Sequence, residues 1–127
     1  MPALGEHTGS VFVEDTVVAI GKTAVMTNPG HPSRRGETDS IRDILVRLGY
    51  MIHNRRMRTV APDDSVICDG GDVLYTGRHL FVGLSKRTNQ QAVDVLAKAF
   101  PNIETIPVAF DDEALHLKSV VSHMNDE

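Results

Sequence analysis

The chain has 127 residues, enough for one domain that buries roughly two thirds of the surface its unfolded form exposes. Thirteen Lys and Arg against 17 Asp and Glu give a net charge of −4 and a pI near 5.8, which argues against a nucleic-acid or anionic-membrane binder. Apolar content of 41%, one cysteine and no apolar run of the ~20 residues a span needs predict a soluble protein without disulfides, expected in the reducing cytoplasm.

The segment from Met1 to His7 has neither the basic nor the apolar region of a signal peptide. From Asp15 onward, Thr16-Val17-Val18-Ala19-Ile20 and Thr23-Ala24-Val25-Met26-Thr27 flank Gly21-Lys22 and predict a β-hairpin. A Gly/Pro-rich loop, Asn28 to Gly36, follows. Ile41, Ile44, Leu45 and Leu48 have the spacing of one helix face, Gly49 is placed to stop that helix, and Tyr50-Met51-Ile52 reads as a returning strand. Arg55-Arg56-Met57-Arg58 and Pro62-Asp63-Asp64 then read as a solvated connection.

The same order recurs. Val73-Leu74-Tyr75-Thr76, the break Gly77-Arg78 and His79 to Leu84 predict a second hairpin. After Ser85-Lys86-Arg87, Val93, Leu96, Ala97 and Phe100 repeat the helical spacing, Thr88 to Gln91 has capping-box spacing, and Pro101 ends the helix. Glu104 to Val108 is the second return strand, Asp111-Asp112-Glu113 an acidic turn, and Met124 to Glu127 a polar end. Two ββαβ units, over residues 11–54 and 66–110, suggest an α/β array or propeller. Two units cannot close a ring, so the chain reads as incomplete.

Several residues could carry chemistry. Glu14 and Asp15 stand where the chain enters the first hairpin; they are two surface acids or, at a bend, a pair able to grip a guanidinium. Arg34 and Arg87 occupy equivalent loops, so both face solvent or both reach one anionic group. Asp69-Gly70-Gly71-Asp72 is a plain turn or a point of close backbone approach, and it lacks the pattern of a phosphate loop. His116, flanked by leucines, is a structural histidine or an acid/base group fixed by a carboxylate. Cys68 precedes Asp69, whose charge opposes thiolate formation, and reads as a structural thiol. The other histidines show no paired metal-ligand spacing.

Phe12-Val13-Glu14-Asp15, Pro32-Ser33-Arg34-Arg35, Asp69-Gly70-Gly71-Asp72-Val73-Leu74, Thr76-Gly77-Arg78, Val82 to Asn89 and Leu115-His116-Leu117-Lys118-Ser119 resemble, in order, the dimethylarginine dimethylaminohydrolases. The resemblance implies the pentein fold, a five-bladed α/β propeller, of which this chain holds about the middle half. It implies hydrolysis of N-omega-methylated arginines to citrulline and a methylated amine, and thereby regulation of nitric oxide synthesis, with no cofactor and no metal. In that likeness Glu14 and Asp15 bind the guanidinium, and Arg34 and Arg87 hold the amino-acid end. His116 protonates the leaving amine and then activates water, oriented by Asp69. The family's nucleophilic cysteine falls beyond the equivalent of Glu127, and its acid for the substrate amine falls near Gly9, which cannot serve. The chain alone is therefore expected to be inactive. The alternatives are a truncated, non-catalytic interaction module that self-associates through open propeller edges, or a deiminase- or amidinotransferase-like enzyme.

Overall fold

A computed structural model describes residues 13–54, 66–110 and 113–122. The predicted connection over 55–64, the acidic pair at 111–112, the polar end at 124–127 and Gly9 lie outside the described residues. Two ββαβ units are present as expected. In the first, β1 (Val17–Ile20) and β2 (Thr23–Met26) form an antiparallel hairpin, α1 (Thr38–Arg47) crosses over, and β3 (Met51–Asn54) pairs parallel with β2. In the second, β4 (Val73–Tyr75) and β5 (His79–Leu84) form the hairpin, α2 (Gln90–Ala99) crosses, and β6 (Glu104–Ala109) runs parallel to β5. Each sheet thus has its middle strand antiparallel to one neighbour and parallel to the other.

The glycines of the two hairpin turns and of the first helix end carry these bends for a definite reason. Gly21, Gly49 and Gly77 have φ of 61°, 79° and 87°, the left-handed region that side chains with a Cβ disfavour. At Gly49 the amide donates to the Val46 carbonyl, and the Tyr50 amide donates to Leu45, which closes the end of α1 in a Schellman arrangement.

One apolar core crosses both units. Val18 and Val25 from the first sheet join Val73, Leu80 and Val82 from the second, and α2 adds Ala92, Val93, Leu96, Ala99 and Phe100. Two details of the predicted helix faces differ. Ala97 is exposed, because the stripe that meets the sheet runs through Ala92, Val93, Leu96 and Ala99. On the predicted apolar face of α1, Ile41 is buried and Leu45 half-buried, while Ile44 and Leu48 stay exposed, as does Met51 on β3.

The cap of α2 also differs from expectation. Asn89, not Thr88, is the N-cap: its side-chain oxygen accepts from the Ala92 amide at 3.3 Å. Thr88 is fully buried, and its hydroxyl donates to Asp72 at 2.7 Å and accepts from the Asp69 amide at 3.1 Å, so it serves the strap and not the helix. Asn89 also accepts from the Ile67 amide and donates its own amide to the Ile67 carbonyl. Together with the Cys68 amide donating to Asn28 and the Asn28 side chain donating to Val66, these bonds hold residues 66–69 as an extended strap between the two units. Among the described residues no helix is long and apolar enough to cross a membrane.

Candidate functional site

The strap ends at Asp69 and delivers its carboxylate to the seam between the units. Its amide donates to the Thr88 hydroxyl oxygen, and its Oδ1 accepts from the Gly30 amide at 2.9 Å. Its Oδ2 meets His116 Nε2 at 2.9 Å and lies 3.6 Å from an Arg87 nitrogen. Burial opposes ionisation of Asp69, but the hydrogen bonds from His116 and Gly30, with the charges of His116 and Arg87, outweigh it and hold the carboxyl below its ordinary value.

Asp15 arrives from the opposite side on a short 3₁₀ turn, Val13–Thr16, which ties itself down through Thr16 Oγ1 donating to Val13. The Thr27 hydroxyl donates to the Asp15 carbonyl at 2.6 Å, anchoring this turn on the end of β2. The Asp15 carboxylate accepts from the Gly71 amide at 2.9 Å and from Arg34 at 2.6 Å, and its Oδ1 is 3.7 Å from His116 Nε2.

The Gly-Gly pair explains how the segments come so close. A Cβ on Gly71 would stand 2.8 Å from Asp15 Oδ1 and 2.8 Å from His116 Cγ; one on Gly70 would overlap the Glu14 carbonyl. The pair is thus a point of close backbone approach as well as a turn.

Asp72 is the fixture behind the site. It has no exposed surface, and its carboxylate accepts from the hydroxyls of Ser85 and Thr88 and from the Leu117 amide at 2.9 Å. It therefore fixes both the loop that carries Arg87 and the segment that carries His116. The sequence shows Asp72 only as an acid before a strand; its three partners come from distant positions, so no local spacing signals the role.

His116 sits above this carboxylate cluster with its side chain mostly covered. The hydrogen bond to Asp69 raises its pKa above the ordinary value; burial works against this, and the charges of Asp15, Asp72 and Asp69 add to it. It is a histidine whose tautomer and orientation a carboxylate sets, as general acid/base work requires. One atom each from Asp15, Asp69 and His116 lie within 4.8 Å of one another, so among the described residues these three form a group that could hold a metal ion.

The remaining candidates fall in different places. Arg34, expected with Arg87 at the anionic end of a substrate, has its guanidinium buried against Asp15 at 2.6 Å and Glu37 at 3.1 Å. Burial would lower its pKa, yet the hydrogen bonds and charges of Glu37 and Asp15 raise it instead. The physical reason for this placement is Glu37, itself buried, three residues beyond Arg34. That i,i+3 spacing was the signal available in the sequence. Arg87 remains partly exposed beside Asp69. Glu14 does not join Asp15 inside: it is largely exposed and pairs with Lys118 at 2.6 Å. Cys68 is fully buried, and its thiol pKa is pushed up by burial first and then by Asp69 and Asp72, the setting of a structural thiol.

Residues 7–127 match the family model described as arginine deiminase. An uncharacterized protein of Aeropyrum pernix is 39% identical over 124 residues, which cover 95% of this chain and 43% of that protein. An N(G),N(G)-dimethylarginine dimethylaminohydrolase of Streptomyces coelicolor is 38% identical over 121 residues, covering 92% of this chain and 43% of the relative. Among solved structures, a dimethylarginine dimethylaminohydrolase of Pseudomonas aeruginosa, a cysteine-to-serine mutant complexed with citrulline, superposes with a TM-score of 0.76 at 29% identity. It covers 88% of this chain and 42% of that one. The chain spans less than half the length of these relatives. The two ββαβ units accordingly have the pentein-type fold of those hydrolases over the share they cover, and the chain belongs to the arginine deiminase family.

Proposed function

We propose that this chain forms the guanidinium-recognising and proton-transferring part of a hydrolase of N-omega-methylated arginines. The observation that carries the reading is His116 Nε2 at 2.9 Å from Asp69 and 3.7 Å from Asp15, a cation-attracting, acid/base-competent cluster with Arg87 at its edge. Asp15, locked by Arg34 and the Gly71 amide, receives the substrate guanidinium, and Glu14 adds an outer acid when the guanidinium displaces Lys118. Arg34 positions Asp15, and Arg87 holds the substrate carboxylate.

In the reaction a thiolate adds to the guanidinium carbon. The C–N bond to the methylated nitrogen breaks as His116 gives that nitrogen a proton, and the amine leaves. Water then attacks the thiouronium carbon, returning a proton to His116, and citrulline departs as the thiolate is restored. Asp69 keeps the imidazole oriented through both steps. Cys68 cannot supply the thiolate from its buried site, so the 127 residues bind substrate without turning it over.

The experiment is direct. The purified chain is titrated with N-omega-dimethylarginine, His116 is followed by NMR, and released citrulline is assayed. Perturbation of His116 without citrulline is expected; citrulline above background would overturn the assignment of Cys68, and an unperturbed His116 would overturn the substrate reading. A second reading, deimination of unmethylated arginine, is favoured by the description of the matching family model. Comparing arginine with its methylated forms in the same titration separates the two.

A further inference from the structure

Three groups of the candidate site are tied to one residue that has no exposed surface of its own, Asp72. Its Oδ2 accepts from the Ser85 hydroxyl at 2.9 Å and from the Thr88 hydroxyl at 2.7 Å, and its Oδ1 accepts from the Leu117 amide at 2.9 Å. Each of these donors passes the constraint on. The Ser85 hydroxyl oxygen accepts from the Arg87 amide at 3.0 Å, the Thr88 hydroxyl oxygen accepts from the Asp69 amide at 3.1 Å, and Leu117 directly follows His116. Arg87, Asp69 and His116 are thus each one link away from the same carboxylate.

The links leave little slack. Ser85 and Thr88 end a turn that the Ser85 amide closes on the Thr88 carbonyl at 3.0 Å, so both hydroxyls reach the one oxygen from a fixed frame. Leu117 is buried where Gly83 leaves room for it: a Cβ on Gly83 would stand 2.8 Å from the Leu117 Cβ. Packing holds that segment against β5, and the bond to Asp72 sets where along β5 it sits. The partners of the Asp72 carboxylate are all neutral donors, and among the described residues it makes no ion pair. A carboxylate buried on neutral donors costs desolvation that apolar packing would avoid, so stability alone gives no reason for one here. What it supplies is geometry, because two oxygens can take several donors in fixed directions.

We propose that Asp72 is a positioning residue for the reaction, the common anchor that keeps Arg87, Asp69 and His116 in register with one another. This role rests on the methylarginine reading given above and adds to it a residue that acts only through others. Asp72 bears on substrate binding through Ser85 and the Arg87 loop. It bears on proton transfer through Thr88 and Asp69, and through Leu117 next to His116. The two routes part at the carboxylate, so each can be cut by itself. Ser85→Ala cuts the first. Thr88→Val cuts the link to Asp69 while keeping the side chain's shape and every charge of the site.

The test uses the 127-residue chain and two readouts, the NMR titration of His116 and calorimetric titration with N-omega-dimethyl-L-arginine. Ser85→Ala is expected to weaken dimethylarginine binding about tenfold, the size of one hydrogen bond to a charged group, with His116 titrating as before. Thr88→Val is expected to lower the His116 midpoint, because Asp69 loses the tether that holds it against the imidazole. Asp72→Asn is expected to do both. A residue that served stability alone would change the urea midpoint of these variants and neither readout. Unchanged affinity in Ser85→Ala, or an unchanged His116 midpoint in Thr88→Val, would therefore overturn the anchor even where Asp72→Asn fails to fold. Failure of the unmodified chain to bind dimethylarginine would overturn the methylarginine reading instead, with the Thr88→Val midpoint still deciding for or against the anchor.

Discussion

Replacing Gly71 by Ala adds one methyl group at the tightest point of the site. Its carbon would stand 2.8 Å from Asp15 Oδ1, 2.8 Å from His116 Cγ and 3.0 Å from His116 Nδ1, where ordinary contacts begin near 3.4 Å. Neither neighbour yields freely, since Asp15 is held by Arg34 at 2.6 Å and His116 by Asp69 at 2.9 Å. Overpacking of this kind costs about 1–3 kcal/mol. A shift of Asp15 also weakens its hydrogen bond from the Gly71 amide, worth about 1.5–3 kcal/mol for a charged acceptor. Gly71 does not have positive φ, so alanine adopts the backbone without strain and recovers about 0.4–1 kcal/mol from the unfolded chain. The net expectation is a loss of about 2–4 kcal/mol, a large part of the stability of a domain this size. Urea unfolding followed by circular dichroism measures the loss, and NMR titration of His116 reports whether the imidazole has moved off Asp69. Gly70→Ala should lose more, because its methyl meets the Glu14 backbone, which cannot swing away. A Gly71→Ala protein with unchanged stability and an unchanged His116 titration would refute the packing described here.

Two further outcomes follow from the buried charges. The raised pKa of His116 contributes stability that is full below the ordinary value of about 6.5 and is lost as pH rises through the folded value. The lowered pKa of Asp69 contributes stability that is present above about 3.8 and is lost as pH falls through its depressed folded value. The stability gap between the unmodified chain and His116→Gln is therefore widest between these ordinary values and narrows at higher pH. Urea titrations from about pH 4 to about pH 9 check this, and a constant gap contradicts it. Arg34→Met leaves Asp15 and Glu37 buried without their cation and should cost about 3–5 kcal/mol, with Arg34→Lys restoring only part because an ammonium cannot serve both carboxylates as a planar fork does. A loss below about 1 kcal/mol in denaturant would show that the two acids are not buried as described.

The turns and crossovers were legible because each is governed by local rules. Gly21, Gly49 and Gly77 mark the bends wherever positive φ is required, and the strand runs around them are β-branched. What the local rules leave open is decided by partners far along the chain. Thr88 and Asn89 are both competent caps, and Asn89 takes the position because Asp72 captures the Thr88 hydroxyl. Glu14 and Asp15 are adjacent acids with equal claims; Arg34 and the Gly71 amide draw Asp15 inward, and Lys118 keeps Glu14 at the rim. The exposure of Ile44 and Leu48 is likewise invisible to helical periodicity, which marks an apolar face without showing what covers it.

The bonds that build the site join positions 39, 45, 47 and 56 residues apart: Gly30 to Asp69, Leu117 to Asp72, His116 to Asp69, and Gly71 to Asp15. No helix or hairpin of this chain can form any of them by itself. Closing loops of that length costs entropy before any contact rewards it, so the cluster assembles late on the folding route, after the local hairpins. Its weak moment in the folded protein is a parting of the two units, which would break the Gly71–Asp15 and Gly30–Asp69 bonds together. Exchange of those two amide protons with solvent would then occur in one shared opening event, at a rate set by the seam between the units and not by either sheet.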